Sequence, residues 1–315
     1  MADTRTHIGS LPIPDIISAL QAVGNITCIE GESLDKHTSL RVGGPAALYI
    51  YPNEIQGLQS AVQYLLKNKL EWFVIGYGTN LLVSDDGYDG VVIDLKRLVR
   101  EVSFEGTEVT VSAGVWMNDV IRSAAGRGLS GWGKLAGIPG SLGGWLYMNA
   151  GAFRSSISEH LESVTVLDRQ GNLLTLTKDE VGFGYRSAPA LSDKIILSAR
   201  FVLLSESPQN AIAEVEATIQ ERYRRNVMTL PSAGSVFKNP EGKFAAQLIE
   251  SIGGKGMREG GVEISPNHAN FIVNERGGNA GDIIRLISKV RQLVRERHGV
   301  ELTLEVRTIG FRGAI

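Results

Sequence analysis

Ser235-Val236-Phe237-Lys238 sets a hydroxyl three residues before an amine, the S-x-x-K spacing with which acyl-enzymes activate a serine. The chain holds neither S-D-N nor K-T-G to complete such a site. Gly128-Leu-Ser-Gly-Trp-Gly133-Lys134-Leu135 nearly spells a P-loop, but Leu135 stands where a hydroxyl should hold magnesium. Gly76-Tyr77-Gly78 begins like a dinucleotide fingerprint, yet Leu81 takes the place of the third glycine. Gly140-Ser141-Leu142-Gly143 fails as a nucleophile elbow because Pro139 replaces the first glycine. His7, His37, His160, His268 and His298 include no pair at metal-ligand spacing, and Cys28 is the only cysteine. A metal site and an intrachain disulfide are therefore not expected.

One stretch demands an explanation of another kind. Residues 137–153, GIPGSLGGWLYMNAGAF, carry five glycines and almost no charge. Glycine in a packed element costs ~0.5–1 kcal/mol relative to alanine. Either the backbone bends there as a Cβ would forbid, or a large ligand lies against it. A glycine-rich packing turn is the alternative from the residues alone.

The elements that must position these residues fall into three stretches. The first is α/β in pattern. A helix is expected over Ile13–Val23, a strand in AALYIY (46–51), and a helix capped by Asn53 with Ile55, Leu58, Val62, Leu65 and Leu66 on one face. WFVIGYG (72–78) and GVVIDL (90–95) read as further strands. From about residue 96 the pattern turns antiparallel. EVSFEG and TEVTVSAG form one expected hairpin, SVTVLDRQGNLLTLT a second, and KIILSARFVLL a closing strand. Asn118 is the expected cap of a helix through Ala125, and Thr177 with Glu180 fits a capping box. Beyond Pro208, helices are expected at 211–225, 243–251 and 282–298. The last carries Ile283, Leu286, Ile287, Val290, Leu293 and Val294 as a stripe and ends at Gly299. ELTLEVRTIGF reads as the final strand.

Composition narrows the class. A length of 315 residues allows two or three domains, and 43% hydrophobic with 21% charged content fits a folded globular protein. A net charge of −2 gives no electrostatic case for nucleic acid, and the basic cluster Arg222-Tyr223-Arg224-Arg225 reads as a solvated helix face. No apolar run approaches the roughly 20 residues of a membrane span. The start, MADTRTHIGSLPIPDI, lacks the apolar core of a signal peptide, so a cytoplasmic protein is expected.

Four segments together resemble one family. They are Gly76-Tyr-Gly-Thr-Asn-Leu-Leu-Val83, Gly137-Ile-Pro-Gly-Ser-Leu-Gly-Gly144 with Met148-Asn-Ala-Gly151, Pro231-Ser-Ala-Gly-Ser-Val-Phe-Lys-Asn-Pro240, and Leu304-Glu-Val-Arg-Thr-Ile-Gly310. In this order they resemble the UDP-N-acetylenolpyruvoylglucosamine reductases in their shorter form, from about His37 to Gly310. The resemblance implies an α+β fold. Its parts are a two-part FAD-binding region of the vanillyl-alcohol-oxidase-like (PCMH) type and a C-terminal α+β substrate-binding domain. The implied division is 1–95, joined by 304–315, then 96–206 for the second FAD subdomain, and 207–303 for the substrate domain. It also implies non-covalent FAD, NADPH as co-substrate, a UDP-sugar substrate, and a monomer that inserts in no membrane. Another FAD-dependent oxidase or dehydrogenase of the same superfamily is the alternative.

On this resemblance FAD lies along Gly76, Gly78, Thr79, Asn80 and Leu81 and along Ile138, Pro139, Gly140, Ser141, Gly143, Asn149, Ala150 and Gly151. Backbone N–H groups of residues 78–81 can converge on the pyrophosphate as an anion nest. Ser235, Arg186 and Glu305 match the family's catalytic three. Hydride added to C3 of the enol ether drives negative charge onto C2 and the neighbouring carboxylate. Arg186 suits that carboxylate bidentately, Ser235 protonates C2, and Glu305 is expected to act in its protonated form, since an ionised carboxylate would repel the growing oxyanion. Tyr185, Lys238 and Asn239 are expected at the substrate. The chain departs from the family at Asn226-Val227, where Gln-Pro is usual, at Phe153-Arg154 in place of Tyr-Gly, and at Trp145 in place of alanine.

Overall fold

The computed structural model describes residues 6–98, 100–225 and 230–313, which leaves the Asn226-Val227 departure outside the described residues. The chain divides into two compact units. One comprises residues 1–30, 48–76 and 90–221, the other residues 31–47, 77–89 and 222–315. The fold is mixed α+β.

The first unit opens with α1 (Ile13–Val23), as expected, and continues to α2 (Ile55–Lys67). Leu58, Val62 and Leu65 recur at i, i+4 and i+7 and are fully buried, so α2 folds to hide that stripe. A four-stranded sheet has the order 26–30, 46–52, 88–94, 72–75. Ala46–Pro52 is buried at all seven positions, the pattern of a strand covered on both faces. The second sheet is antiparallel throughout, in the order 173–177, 161–167, 195–202, 108–112, 102–105. Asp168 Oδ1 accepts from Gln170 N and Asn172 N, which shapes the turn between its first two strands. The helices of this part are α3 (Met117–Gly126), α4 (Leu142–Tyr147) and α5 (Lys178–Val181), followed by α6 (Pro208–Arg225). The Thr177–Glu180 capping box forms as expected at α5.

The second unit packs α7 (Ala245–Ser251) and α8 (Ala280–His298) with a three-stranded sheet, 258–259, 262–264 and 272–273. Its core draws Ile283, Leu286, Ile287, Val290 and Val294 from α8 together with Phe237, Ile249, Ile264 and Leu302. Asn279 and Asp282 form a capping box at the start of α8, and Gly299 ends it in the left-handed conformation. The Asp85 carboxylate accepts from Ala280 N and Gly281 N at 2.8 and 2.9 Å, adding negative charge where the helix dipole favours it.

Three local expectations fail for physical reasons. Asn53 does not cap α2, whose N-cap is Glu54; its amide donates instead to the Asn25 carbonyl and side chain. Asn118 lies inside α3, behind the N-cap Trp116, and its side chain reaches the glycine-rich stretch. The final strand is only Arg307–Ile309, because residues 303–306 bond to the Val236–Lys238 segment while 307–309 pair in parallel with Leu81–Val83.

Candidate active site

Ser235 and Glu305 meet through backbone. Glu305 N donates to the Val236 carbonyl at 2.8 Å, Lys238 N donates to the Thr303 carbonyl at 2.9 Å, and Phe237 bridges Leu304. Ser235 in turn bridges Phe271. Both Ser235 and Glu305 are half-buried. A hydroxyl and a carboxyl that lie 70 positions apart in sequence thus sit on adjoining extended segments.

The Tyr77–Asp89 loop belongs to this same unit. Arg307 N donates to the Asn80 carbonyl at 3.0 Å, and the Asn80 side chain donates to the Glu305 carbonyl at 3.1 Å. The expected pyrophosphate loop is therefore bonded directly to the segment that carries Glu305. Gly78 has φ +61, and a Cβ there would overlap the His37 carbonyl, so only glycine lets the loop run this close to residues 37–38. Thr79 follows Gly78 in the loop, and Leu81 opens the parallel pairing with Arg307.

Gly76 and the glycine-rich stretch belong to the first unit. Asn118 holds that stretch from below: its Oδ1 accepts from Gly137 N at 2.6 Å and its Nδ2 donates to the Ile138 carbonyl at 2.7 Å. Pro139 offers its carbonyl to Trp145 Nε1 at 3.4 Å, so the bulky departure at Trp145 is absorbed into the core, 2% exposed. Gly140 sits at φ +136, beyond the reach of ordinary side-chain-bearing residues. Ser141 caps α4, and Gly143 N donates to the Ala113 carbonyl at 2.9 Å. A Cβ on Gly143 would sit tightly against Ala113, so neighbouring protein already presses on that position.

Asn149, Ala150 and Gly151 lead to Arg186. Asn149 adopts φ +42 and its Nδ2 donates to the Gly184 carbonyl at 2.9 Å. Its Oδ1 is buried and has no hydrogen-bond partner among the described residues. Arg186 Nη2 donates to the Gly151 carbonyl at 2.7 Å and Nη1 to the Asn149 carbonyl at 3.4 Å. Gly184 and Ser187 bridge one another, so Tyr185 and Arg186 are the two central residues of a tight turn. Arg186 holds φ +51 at a position where turns with one left-handed residue ordinarily carry glycine. Such strain costs ~1–3 kcal/mol and gathers at functional sites. Tyr185 is 56% exposed beside it, 5.4 Å from the guanidinium carbon to the ring centre. The structure thus groups Asn149, Gly151 and Arg186 in one unit, and Ser235, Glu305 and Asn80 in the other.

The remaining expectations divide. Lys238 is half-buried on the Ser235 segment, whereas Asn239 is exposed and its Oδ1 accepts from Ala245 N at the start of α7, a structural bond. No helix covers Ser235–Lys238, so the one-turn spacing that S-x-x-K exploits is absent. A Cβ on Gly133 would strike the Glu214 carboxylate, an unsuitable neighbour for phosphate in the P-loop-like stretch. Phe153 and Arg154, at φ +51 and +63, form the two-residue turn between Gly151–Ala152 and Ser155–Ser156. Sequence reasoning missed Asn270, whose side chain bonds both backbone groups of Phe237 and which no local pattern marks.

Known proteins match this arrangement along nearly its whole length. A model of an FAD binding domain matches residues 46–177, and one of the UDP-N-acetylenolpyruvoylglucosamine reductase C-terminal domain matches residues 225–309. The UDP-N-acetylenolpyruvoylglucosamine reductase of Clostridium botulinum (strain Okra / Type B1) is 39% identical over 289 residues, 91% of this chain and 94% of the relative. That of Pelobacter propionicus is 40% identical over 279 residues, 89% and 94% of the two chains. The crystal structure of UDP-N-acetylenolpyruvylglucosamine reductase from Thermus caldophilus superposes with a TM-score of 0.77 at 31% identity, covering 91% of this chain and 99% of that one. With that identity over that length, the chain belongs to the UDP-N-acetylenolpyruvoylglucosamine reductase family.

Proposed function

We infer that the chain performs the NADPH-dependent, FAD-mediated reduction of UDP-N-acetyl-3-O-(1-carboxyvinyl)-glucosamine to UDP-N-acetylmuramate, in peptidoglycan precursor synthesis. The observation that carries the assignment of residues is the pairing of the Ser235 segment with the Glu305 segment. The residues present fit a flavin: the buried, partnerless Oδ1 of Asn149 asks for a donor from outside the chain, such as the imide N–H of an isoalloxazine. On the family resemblance, we assign Gly76, Gly78, Thr79, Asn80, Leu81, Ile138, Pro139, Gly140, Ser141, Gly143, Asn149, Ala150 and Gly151 to holding it. Held there, FAD would supply the hydride, drawn from NADPH, that reduces C3 of the enol ether.

The protein's part is to stabilise charge and move one proton. Arg186 pairs with the substrate carboxylate, whose charge grows as C3 is reduced. Protonated Glu305 donates a hydrogen bond to the same developing enolate; losing such a donor costs ~3–4 kcal/mol. Ser235 delivers the proton to C2, in a relay that water or Lys238 replenishes, since a free hydroxyl is a poor acid. Tyr185, Lys238 and Asn239 meet the remainder of the nucleotide sugar. We divide the work as 1–95 with 304–315 and 96–206 for the cofactor, and 207–303 for the sugar nucleotide. Among the described residues no helix is long and apolar enough to cross a membrane. NADPH and nucleotide sugars are cytoplasmic pools, so we place the enzyme there, and on the family resemblance we take it as a monomer.

Anaerobic stopped-flow mixing tests the reading. NADPH-reduced enzyme should reoxidise rapidly with the enolpyruvyl sugar nucleotide, and Ser235→Ala should keep flavin reduction while losing that reoxidation. Reoxidation only by oxygen would refute the reaction; equal loss of both half-reactions in Ser235→Ala would make the serine structural.

A further inference from the structure

The segment between Ser235 and Lys238 is held at every backbone polar group from Val236 N to Lys238 N, and one side chain supplies two of those bonds. Asn270 Oδ1 accepts from Phe237 N at 3.0 Å, and Asn270 Nδ2 donates to the Phe237 carbonyl at 2.8 Å. The Asn270 carbonyl accepts from Val236 N at 2.9 Å. The Val236 carbonyl accepts from Glu305 N at 2.8 Å and Val306 N at 3.3 Å, and Lys238 N reaches Thr303. A side-chain amide presents an N–H donor beside a C=O acceptor, as the backbone of a neighbouring strand would. Asn270 therefore does for Phe237 with its side chain what a strand partner would do with its backbone.

That loop is itself fixed. Ser265, fully buried, accepts at Oγ from Asn267 N and His268 N. His268 Nδ1 accepts from Asn270 N at 3.3 Å, and Phe271 N donates to the His268 carbonyl at 3.0 Å. Asn270 is 4% exposed, so its amide cannot exchange these bonds for water.

We propose that Asn270 is a positioning residue for the reduction. By setting the backbone of Val236–Phe237 it aims the Ser235 hydroxyl and fixes the register of Glu305 against it. The proposal rests on Ser235 being the proton donor. Its closest substitutes fall short: leucine matches the shape but offers neither bond, aspartate loses the donor, and glutamine is one methylene longer.

The test uses the FAD-loaded full chain bearing Asn270→Leu, with Asn270→Ser as a second variant should the first lose its flavin. Misplacing a reacting group by an ångström costs roughly 10²-fold, so reoxidation of the reduced enzyme by saturating sugar nucleotide should slow by about that order. Flavin reduction by NADPH and the KM for the sugar nucleotide should stay as in the parent. Reoxidation at the parent rate, a joint fall of both half-reactions, or a raised KM with unchanged kcat would each overturn the proposal. Ser235→Ala run alongside separates the two ideas. If it reoxidises normally the serine assignment itself is wrong and this proposal falls with it; if it is slow while Asn270→Leu is fast, only the positioning role is lost.

Discussion

Asn118→Ala tests how the glycine-rich stretch keeps its shape. The native amide closes two bonds, to Gly137 N and the Ile138 carbonyl, from a side chain only 9% exposed. Truncation leaves both backbone groups without their partner, at about 1–3 kcal/mol for each that stays dry. Some of this is recovered if the loop moves to reach water, so a net loss of about 2–4 kcal/mol is expected. For a unit of this size, each kcal/mol lowers Tm by roughly 2–4 °C, which makes the fall about 5–15 °C. A moved loop also grips cofactor less well; ~1.4 kcal/mol diverted into rearrangement weakens FAD binding about tenfold. Heating the holoprotein while following released flavin fluorescence reads the first effect, and titrating apoprotein with FAD reads the second. Asn118→Asp should not rescue either, because a carboxylate cannot donate to Ile138. An alanine variant with unchanged melting and unchanged FAD titration would show that the stretch holds itself, and the reasoning would fail.

Glu305→Gln should retain more turnover than Glu305→Ala, since an amide still donates a hydrogen bond; equal inactivity in steady-state assays would dismiss the protonated-acid role. Arg154→Gly should raise Tm by a few degrees, because relief of ~1–2 kcal/mol of left-handed strain exceeds the ~0.4–1 kcal/mol of added unfolded-chain entropy. A lowered Tm would mean the exposed Arg154 makes contacts worth more than its strain. His268 is held below its ordinary value of about 6.5 by burial, with the nearby Lys255 charge adding to the effect. The unfolded state then binds the extra proton first, so stability present above about pH 6.5 is lost as pH falls toward the folded value. Melting curves from pH 7.5 to 5 should show that slope, and His268→Gln should flatten it; an unchanged slope would assign it to other groups.

Much of this was legible beforehand where the signal is local. The stripe on α8, its glycine stop, the Thr177–Glu180 box and the two hairpins each depend on neighbours within a turn or so, and each appears at its expected place. The failures share one cause. Asparagine before an apolar run is an N-cap signal, yet Asn53 and Asn118 spend their amides on backbone 28 and about 20 positions away. Asn270 and Asn274 do likewise, the latter donating to the Leu40 carbonyl. Nothing in a window of sequence separates a cap from such a long-range clamp. The final strand is shorter than its pattern for the same kind of reason, since its ladder changes partner after residue 306. At the site, the resemblance named Ser235, Arg186 and Glu305, but no pattern showed that the 77–89 loop would be bonded to the Glu305 segment.

The interleaving of the two units has a consequence for synthesis. The polypeptide passes from one unit to the other five times, and Leu81–Val83 finds its parallel neighbour only at Arg307–Ile309. During synthesis, Leu81–Val83 must wait for Arg307–Ile309 before this pairing can close. Contacts so distant along the chain close slowly and leave edges exposed meanwhile. Loss of residues 307–309 would thus strike a loop made long before.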